Sequence, residues 1–372
     1  SMRRSFFLPI LTLTGTIIGA GVFALPHLFA RLGTTPASVL FAVFVALVTF
    51  THVSYVDVVL ERKESHRLPG YAKAQLGKRW GALATVTHFV QVYGSHVIYL
   101  LLGSAFLQSL ALPAGGRWMQ MGAILLVWFL GATAVRGNLR KIASLEAFAT
   151  ALMLTLFLVA SGTALGAARP ITLFAPHLSW EVFGVFLFAL SGLPVVAEVV
   201  ELSDRNRSAA KWAAGAGTVL AGAVMWFFAW SFARAGGTLM TQDPGSLLAV
   251  LPPWGVWMIP VLGLLAIGTS YITTAEDLRT AWSRDYGASE GSAWALTMVP
   301  PLLLALFMHN GFLLLATLLG TLCGGINGVL IGMMRTAIGE GRRQRLMIAG
   351  GLLIAFVYAF GLAGQLTEWL FV

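Results

Sequence analysis

Apolar residues run in long stretches along nearly the whole chain, separated by short polar connections. A helix needs about 20 mostly apolar residues to cross the hydrocarbon core of a bilayer. Eleven stretches approach or exceed that length, at about 5–30, 37–60, 81–111, 118–135, 143–167, 180–202, 212–235, 254–275, 293–308, 311–334 and 346–368. The pattern predicts an all-α integral membrane protein with eleven transmembrane helices, which form a single transmembrane domain over residues 1–372.

The composition agrees with a lipid solvent. The chain is 58% hydrophobic and 10% charged, whereas soluble domains carry about 25% charged residues. The net charge of +9 would favour a nucleic-acid partner in a soluble protein. Here the basic residues lie in connections between spans, so the expected partner is the bilayer and no nucleic acid is expected. The single cysteine, Cys323, lies within a span and cannot form an internal disulfide.

The distribution of basic residues predicts the orientation. If the N-terminus lies inside and the eleven spans alternate, 20 of the 24 Lys and Arg residues fall on the inside, and the other four are Arg31, Arg117, Arg169 and Arg234. Lysine and arginine are enriched in cytoplasmic loops. The count therefore predicts a multi-pass protein of the inner or plasma membrane, with a cytoplasmic N-terminus and an extracytoplasmic C-terminus.

Two spans contain residues that interrupt helices. The first has three glycines within Gly15–Gly21 and is closed by Pro26, and the sixth contains Gly192 and Pro194. Each glycine weakens a helix by about 1 kcal/mol relative to alanine, and proline removes a backbone hydrogen bond. The breaks are five spans apart, so the two halves have opposite topology. Paired breaks of this kind are typical of a secondary transporter. Close helix packing on small residues is the alternative.

The sequence around the first break resembles a known family signature. Gly15–Pro26, GTIIGAGVFALP, is similar to the first helix of the amino acid–polyamine–organocation superfamily, in particular its amino acid/auxin permease branch and the bacterial aromatic amino acid permeases. Three further segments resemble that group's loop before span 3, its span 8 and its entry to span 10, namely Leu68–Lys78, Ala266–Tyr271 and Asn310–Phe312. The likeness covers most of the chain.

The resemblance implies the leucine-transporter fold. In that fold two inverted five-helix repeats, here about 5–168 and 180–335, are followed by an extra helix at about 346–368. The substrate site lies between broken helices 1 and 6. The implied activity is import of an amino acid driven by sodium or protons. Aromatic candidate residues and the lack of a charged side chain at the two breaks predict a neutral substrate that is large or aromatic. We expect the protein to function as a monomer.

Other function classes remain as alternatives. An exchanger or uniporter of the same fold has the same sequence features. A membrane-embedded enzyme would need a compact catalytic set, whereas the seven histidines are scattered. A channel would show a filter loop or charged rings. We therefore expect no catalytic residues and no cofactor besides the coupling ion.

The breaks define the candidate substrate site. Unpaired N–H groups in a broken helix 1 would bind a carboxylate, and carbonyls at the end of the first half of helix 6 would bind an ammonium group. Polar residues of span 3 and aromatic residues of spans 6 and 8 would surround the substrate side chain. The substrate-binding candidates are Thr16, Gly19, Ala20, Gly21, Tyr93, His96, Phe188, Leu190, Ser191, Gly192 and Tyr271.

A candidate ion site lies on span 8. Ala266, Thr269 and Ser270 are spaced i, i+3 and i+4 and share a helix face. In the resembled fold these positions match a sodium site, which carbonyls near Gly15 and Ile18 complete. The same hydroxyl pair occurs in relatives that use protons, so the coupling ion is Na+ or H+. We expect no other metal.

Two acidic residues follow the second break. Glu198 lies four residues after Pro194, and Glu201 lies one turn further. Ionisable residues inside a membrane are functional candidates. These carboxylates are candidates for a cytoplasmic gate that pairs with a loop arginine, or for a proton relay. The alternative is a solvated helix end.

Overall fold

The computed structural model describes residues 2–111, 116–135, 139–167, 180–308, 311–338 and 341–371, and contains helices but no strand within those ranges. Arg169, which belongs to the count of basic residues, and Asn310, which belongs to the segment that resembles the entry to span 10, lie outside these ranges.

The first seven helices cover the N-terminal part of the chain. They are α1 (Met2–Ile17), α2 (Leu25–Leu32), α3 (Thr34–Glu61), α4 (Leu68–Leu76), α5 (Lys78–Ala111), α6 (Arg117–Ala134) and α7 (Leu139–Leu165). Eight more follow: α8 (Glu181–Ala189), α9 (Leu193–Leu202), α10 (Arg207–Gly236), α11 (Met258–Thr280), α12 (Glu290–Phe307), α13 (Phe312–Leu318), α14 (Gly325–Thr336) and α15 (Gly341–Phe371).

The long apolar helices account for most of the predicted spans. In the described ranges nine helices are long and apolar enough to cross a membrane, and the bent pair α1 and α2 makes a tenth. The stretch predicted at 118–135 corresponds to α6, which has 18 residues and is not among those helices. The all-helical membrane architecture is thus supported with nine or ten spans.

The first span is broken where its glycines predict. α1 ends at Ile17, and Gly19 has φ −107° and ψ −148°, outside the helical region. A 3₁₀ turn at Ala20–Ala24 then leads into α2, and the axes on the two sides of the break differ by 47°. The Gly19 N–H donates to the Ile17 carbonyl at 2.8 Å. This short-range bond replaces the regular helical one.

The sixth span is interrupted between α8 and α9. The Leu190 N–H donates to the Phe186 carbonyl at 3.0 Å, and the Ser191 N–H to the Phe188 carbonyl at 3.2 Å. α9 then begins with Pro194 in its first turn, where the missing N–H costs nothing. The break therefore comprises residues 190–192.

The two breaks lie against each other in the centre of the protein. α1 packs against α7, α9, α10 and α11, and the 3₁₀ turn packs against α8. A methyl group on Gly21 would lie 2.5 Å from Ala189 Cα. Only glycine permits this approach of two backbones.

The described chain contains two π-helical turns. One, Ala281–Asp285, continues α11, and the other, Leu319–Gly324, joins α13 to α14. Gly320 in the second turn meets the Gly184 backbone of α8 too closely for any side chain. π turns are frequent at functional sites, and this one lies directly behind α8.

Candidate functional site

A small cavity lies between the two breaks. It has a volume of about 20 Å³, roughly the space of one water molecule. Its walls come from both breaks, from α5 and from α11. The lining residues are Thr16, Ile17, Gly19, Ala20, Gly21, Gln91, Val92, Ser95, Tyr99, Phe188, Ser191, Pro194 and Thr274.

Six of the predicted substrate residues line this cavity: Thr16, Gly19, Ala20, Gly21, Phe188 and Ser191. Leu190 and Gly192 belong to the second break but lie outside the cavity wall. Gly192 instead faces Leu13, Ile17 and His52. The structure thus brings the glycines of the first break and the serine of the second to one place.

A chain of hydrogen bonds ties the second break to two other spans. Gln91 Nε2 of α5 donates to Ser191 Oγ at 3.0 Å, and Asn327 Nδ2 of α14 donates to Gln91 Oε1 at 2.8 Å. Thr87 Oγ1 donates to Asn327 Oδ1 at 2.6 Å. Because all four side chains are satisfied in an apolar core, this network fixes the orientation of Ser191.

Aromatic side chains lie beside the cavity between α5 and α11. The Tyr271 ring is 4.6 Å from the His96 ring and 6.3 Å from the Tyr99 ring, measured between centroids. His96 Nε2 lies 3.0 Å from Thr274 Oγ1. His96 and Tyr271 therefore stand directly behind the cavity wall that Tyr99 and Thr274 form.

Tyr93 lies on a different face of α5. Its hydroxyl donates to the Leu296 carbonyl at 2.7 Å and lies 3.3 Å from Trp282 Nε1. It packs with Phe89 away from the cavity.

The candidate ion residues meet the end of α1. Thr269 Oγ1 lies 3.2 Å from the Gly15 carbonyl, and Ser270 Oγ lies 2.9 Å from the Thr16 carbonyl and 3.3 Å from that of Gly15. Thr269 also bonds the Ala266 carbonyl at 3.1 Å. Ile18 lies buried at the break. Hydroxyl and carbonyl oxygens thus converge where the helix ends.

A buried cluster of charged side chains lies at the start of α4. The Arg67 guanidinium is 3.1 Å from Glu201 Oε1 and 3.2 Å from Asp277 Oδ1. His88 Nε2 is 2.7 Å from Asp277 Oδ2, and Arg284 is 2.9 Å from Glu201. Burial acts to lower the pKa of Arg67, but Asp277 and Glu201 outweigh it and hold the pKa above its ordinary value. The cation therefore stays charged and joins α4, α9 and α11.

Glu198 lies beside this cluster. It is fully buried, and neither carboxylate oxygen has a hydrogen-bond partner in the described part of the chain. A buried carboxylate without donors is costly in its charged form. Glu201, one turn later, is instead held by Arg67, Arg284 and the Ser65 hydroxyl.

Several residues of the site did not stand out in the sequence. Thr274 is one of several hydroxyls on α11, and Asn327 is an isolated amide in an apolar span. A polar side chain inside a membrane span indicates a functional role, but its position in the sequence does not identify the residue that it bonds. Arg67 is one of many basic loop residues, and only its burial distinguishes it.

Long apolar helices, two broken spans that meet at a central cavity and polar side chains gathered around it define a membrane transport protein. Comparison with protein families then makes the assignment specific: a model of the tryptophan/tyrosine permease family matches residues 2–368, and the chain belongs to that family. This confirms the predicted resemblance to aromatic amino acid permeases. The chain is therefore a membrane-embedded amino acid permease and not an enzyme. No curated protein matches the chain.

Proposed function

We propose that the protein imports a neutral aromatic amino acid by ion-coupled symport, through a site between the breaks of the first and sixth spans. The observation that carries this proposal is the cavity that Gly19–Gly21 and Ser191 share. The proposed architecture is the leucine-transporter fold, with inverted repeats at about 5–168 and 180–335. Membership of a family named for tryptophan and tyrosine supports the aromatic substrate.

In the proposed binding mode the α-carboxylate lies at the backbone of Gly19–Gly21. The ammonium group lies at the carbonyls that end α8, near Leu190, and the ring lies between Phe188 and the Tyr99 side of the cavity. A cavity of about 20 Å³ is far smaller than an aromatic amino acid. The two broken spans must therefore part to admit substrate, as expected of alternating access.

The proposed orientation has a cytoplasmic N-terminus. Arg67, Arg284, Arg207 and Lys211 all lie at the end of the molecule where α3 leaves and α5 enters the membrane. Enrichment of basic residues at one membrane face supports assignment of that face to the cytoplasm.

Ligand-dependent thermal stability tests the substrate class. Tryptophan, tyrosine or phenylalanine should raise the melting temperature of the purified protein, since a ligand at about 100 times its Kd stabilises by about 2.7 kcal/mol. Arginine and glutamate should leave it unchanged, because no charged side chain lines the cavity to hold theirs. Stabilisation by arginine or glutamate without any by the aromatic amino acids would contradict the proposal.

For coupling, we place the ion at Thr269 and Ser270 with the Gly15 carbonyl if it is Na+, and at Glu198 if it is H+. Either location adjoins a broken span. Ion and substrate would then bind cooperatively through a shared element, with a reciprocal coupling free energy. Two hydroxyls and nearby carbonyls suit a hard cation, and an unpartnered buried carboxylate suits a proton.

A variant that lacks the Thr269 and Ser270 hydroxyls tests whether the ion binds at these residues. The double variant Thr269→Ala/Ser270→Ala should lose gradient-driven accumulation but keep most substrate exchange, because the substrate contacts at Gly19–Gly21 remain. Uptake and exchange are measured in liposomes with the same labelled amino acid. If the double variant accumulates the amino acid to the wild-type level, the two hydroxyls only hydrogen-bond backbone carbonyls and do not bind the ion. If the wild type ignores sodium and the variant is still inactive, Glu198→Gln is the next test.

A further inference from the structure

A second, larger cleft shares no lining residue with the cavity and lies where α4 packs against the first turns of α5. Its volume is about 870 Å³, within the range of ligand sites. Its walls comprise α4, the start of α5 and the π turn after α11. The lining residues are His66, Pro69, Gly70, Lys73, Ala74, Gly77, Lys78, Gly81, Ala82, Thr85, Val86, Asp285 and Tyr286.

The cleft lies at the level of lipid headgroups. α5 has 34 residues and is about 51 Å long, which exceeds a hydrocarbon core of about 30 Å. Its first turns therefore project into the headgroup region. Trp80 and Tyr286 are exposed there, as expected of aromatic residues at a membrane interface. Val86, which is 60% exposed, lies one to two turns deeper on the lipid-facing surface.

The mouth of the cleft carries unpaired positive charge. Lys73 and Lys78 line it and Arg79 follows, and in the described chain none of the three takes part in an ion pair or hydrogen bond through its side chain. Five other basic residues at this face are paired with carboxylates: Arg67, Arg207, Lys211, Arg279 and Arg284.

The acidic residue of the cleft is turned away from solvent and held by hydrogen-bond donors. Asp285 accepts hydrogen bonds from His66 Nδ1 at 2.8 Å and from the N–H groups of Arg67 and Gly70 at 3.1 and 3.3 Å. Its side chain is only 3% exposed. Glu64 faces His66 Nε2 at 3.3 Å. The lysines therefore dominate the charge that a ligand in the cleft would meet.

From this arrangement we propose that the cleft is a binding site for an anionic phospholipid. The phosphate lies at Lys73 and Lys78, and an acyl chain lies along the apolar wall that Ala74, Ala82 and Val86 form. The proposal concerns a different surface from the substrate cavity and does not depend on the transported solute.

Lipid titration of the detergent-purified protein, followed by native mass spectrometry, tests the site. The probes are phosphatidylglycerol and phosphatidylcholine with identical chains. The wild type should bind one phosphatidylglycerol at least tenfold more tightly than phosphatidylcholine. Each lysine near anionic lipid contributes roughly fivefold in affinity. The variant K73Q/K78Q should therefore bind phosphatidylglycerol roughly 25-fold more weakly and phosphatidylcholine as before.

Two further variants distinguish a built site from general charge attraction. K63Q/R345Q removes two exposed, unpaired cations outside the cleft and should leave the phosphatidylglycerol affinity unchanged. A82W keeps every charge, fills the cleft and should weaken both lipids. Wild-type phosphatidylglycerol affinity in K73Q/K78Q would overturn the proposal. An equal loss of phosphatidylglycerol affinity in K63Q/R345Q would also overturn it, as would wild-type affinity for both lipids in A82W.

Discussion

The variant Gly21→Ala is expected to bind the aromatic substrate more weakly. The added methyl group would lie 2.5 Å from Ala189 Cα and 3.1 Å from its nitrogen, so one backbone must move away from the other. Overpacking of this kind costs about 1–3 kcal/mol, which corresponds to roughly 5- to 150-fold in affinity. The measurement is the substrate-induced rise in melting temperature, recorded over a range of tryptophan concentrations.

Gly268→Ala is the matched control. Gly268 lies in α11, and a methyl group there would meet no atom within 4 Å, while alanine favours the helix. This variant should bind as the wild type does. Unchanged tryptophan affinity in a folded Gly21→Ala protein would show that the substrate does not bind where the two breaks meet. Equal losses in both variants would mean that the effect does not come from the contact with Ala189.

The variant Arg67→Gln should open the protein on the side of α4. Arg67 is 1% exposed and connects Glu201 of α9 with Asp277 of α11. Removing one partner of a buried ion pair costs about 3–5 kcal/mol, because the other charges remain buried. In the closed arrangement Asp277 would keep only His88. The repulsion between carboxylates is relieved when α4, α9 and α11 separate, so we expect this open arrangement to become populated.

Thiol labelling measures the opening. The only cysteine, Cys323, is replaced by alanine, and Thr274→Cys places a buried thiol in the cavity wall. A water-soluble maleimide should react at least tenfold faster in the Arg67→Gln background. Arg62→Gln is the control, since the Arg62 side chain is exposed and, in the described part of the chain, donates to the Ala74 carbonyl alone. An unchanged labelling rate in folded Arg67→Gln protein would show that Arg67 does not hold the closed arrangement.

Local features of the fold were predictable because their causes are local. Glycine and proline weaken a helix wherever they stand, so Gly15–Gly21 and residues 190–194 could be read as breaks from the sequence alone. The polarity of the middle of α5 was also visible. The spacing of its polar residues also distinguishes two faces of the helix. Gln91, Ser95 and Tyr99 are spaced by four and line the cavity. Tyr93 lies two residues out of phase and faces Leu296.

Contacts between distant spans were not predictable in the same way. Gln91 and Asn327 are 236 positions apart, and no periodicity relates them. Arg67 is one of 24 Lys and Arg residues, and its role depends on the acids of α9 and α11 that pack against it. These positions depend on how the spans pack, which a single sequence does not state.

Transport into liposomes tests the central claim most directly. The purified protein is reconstituted, and uptake of labelled tryptophan, tyrosine, arginine and glutamate is measured with sodium and proton gradients imposed separately. The account predicts that tryptophan or tyrosine accumulates above its outside concentration when one of the two gradients is present, and that arginine and glutamate do not. Equilibration of the aromatic amino acids without accumulation under either gradient would contradict symport. Uptake of neither aromatic amino acid would contradict the proposed function.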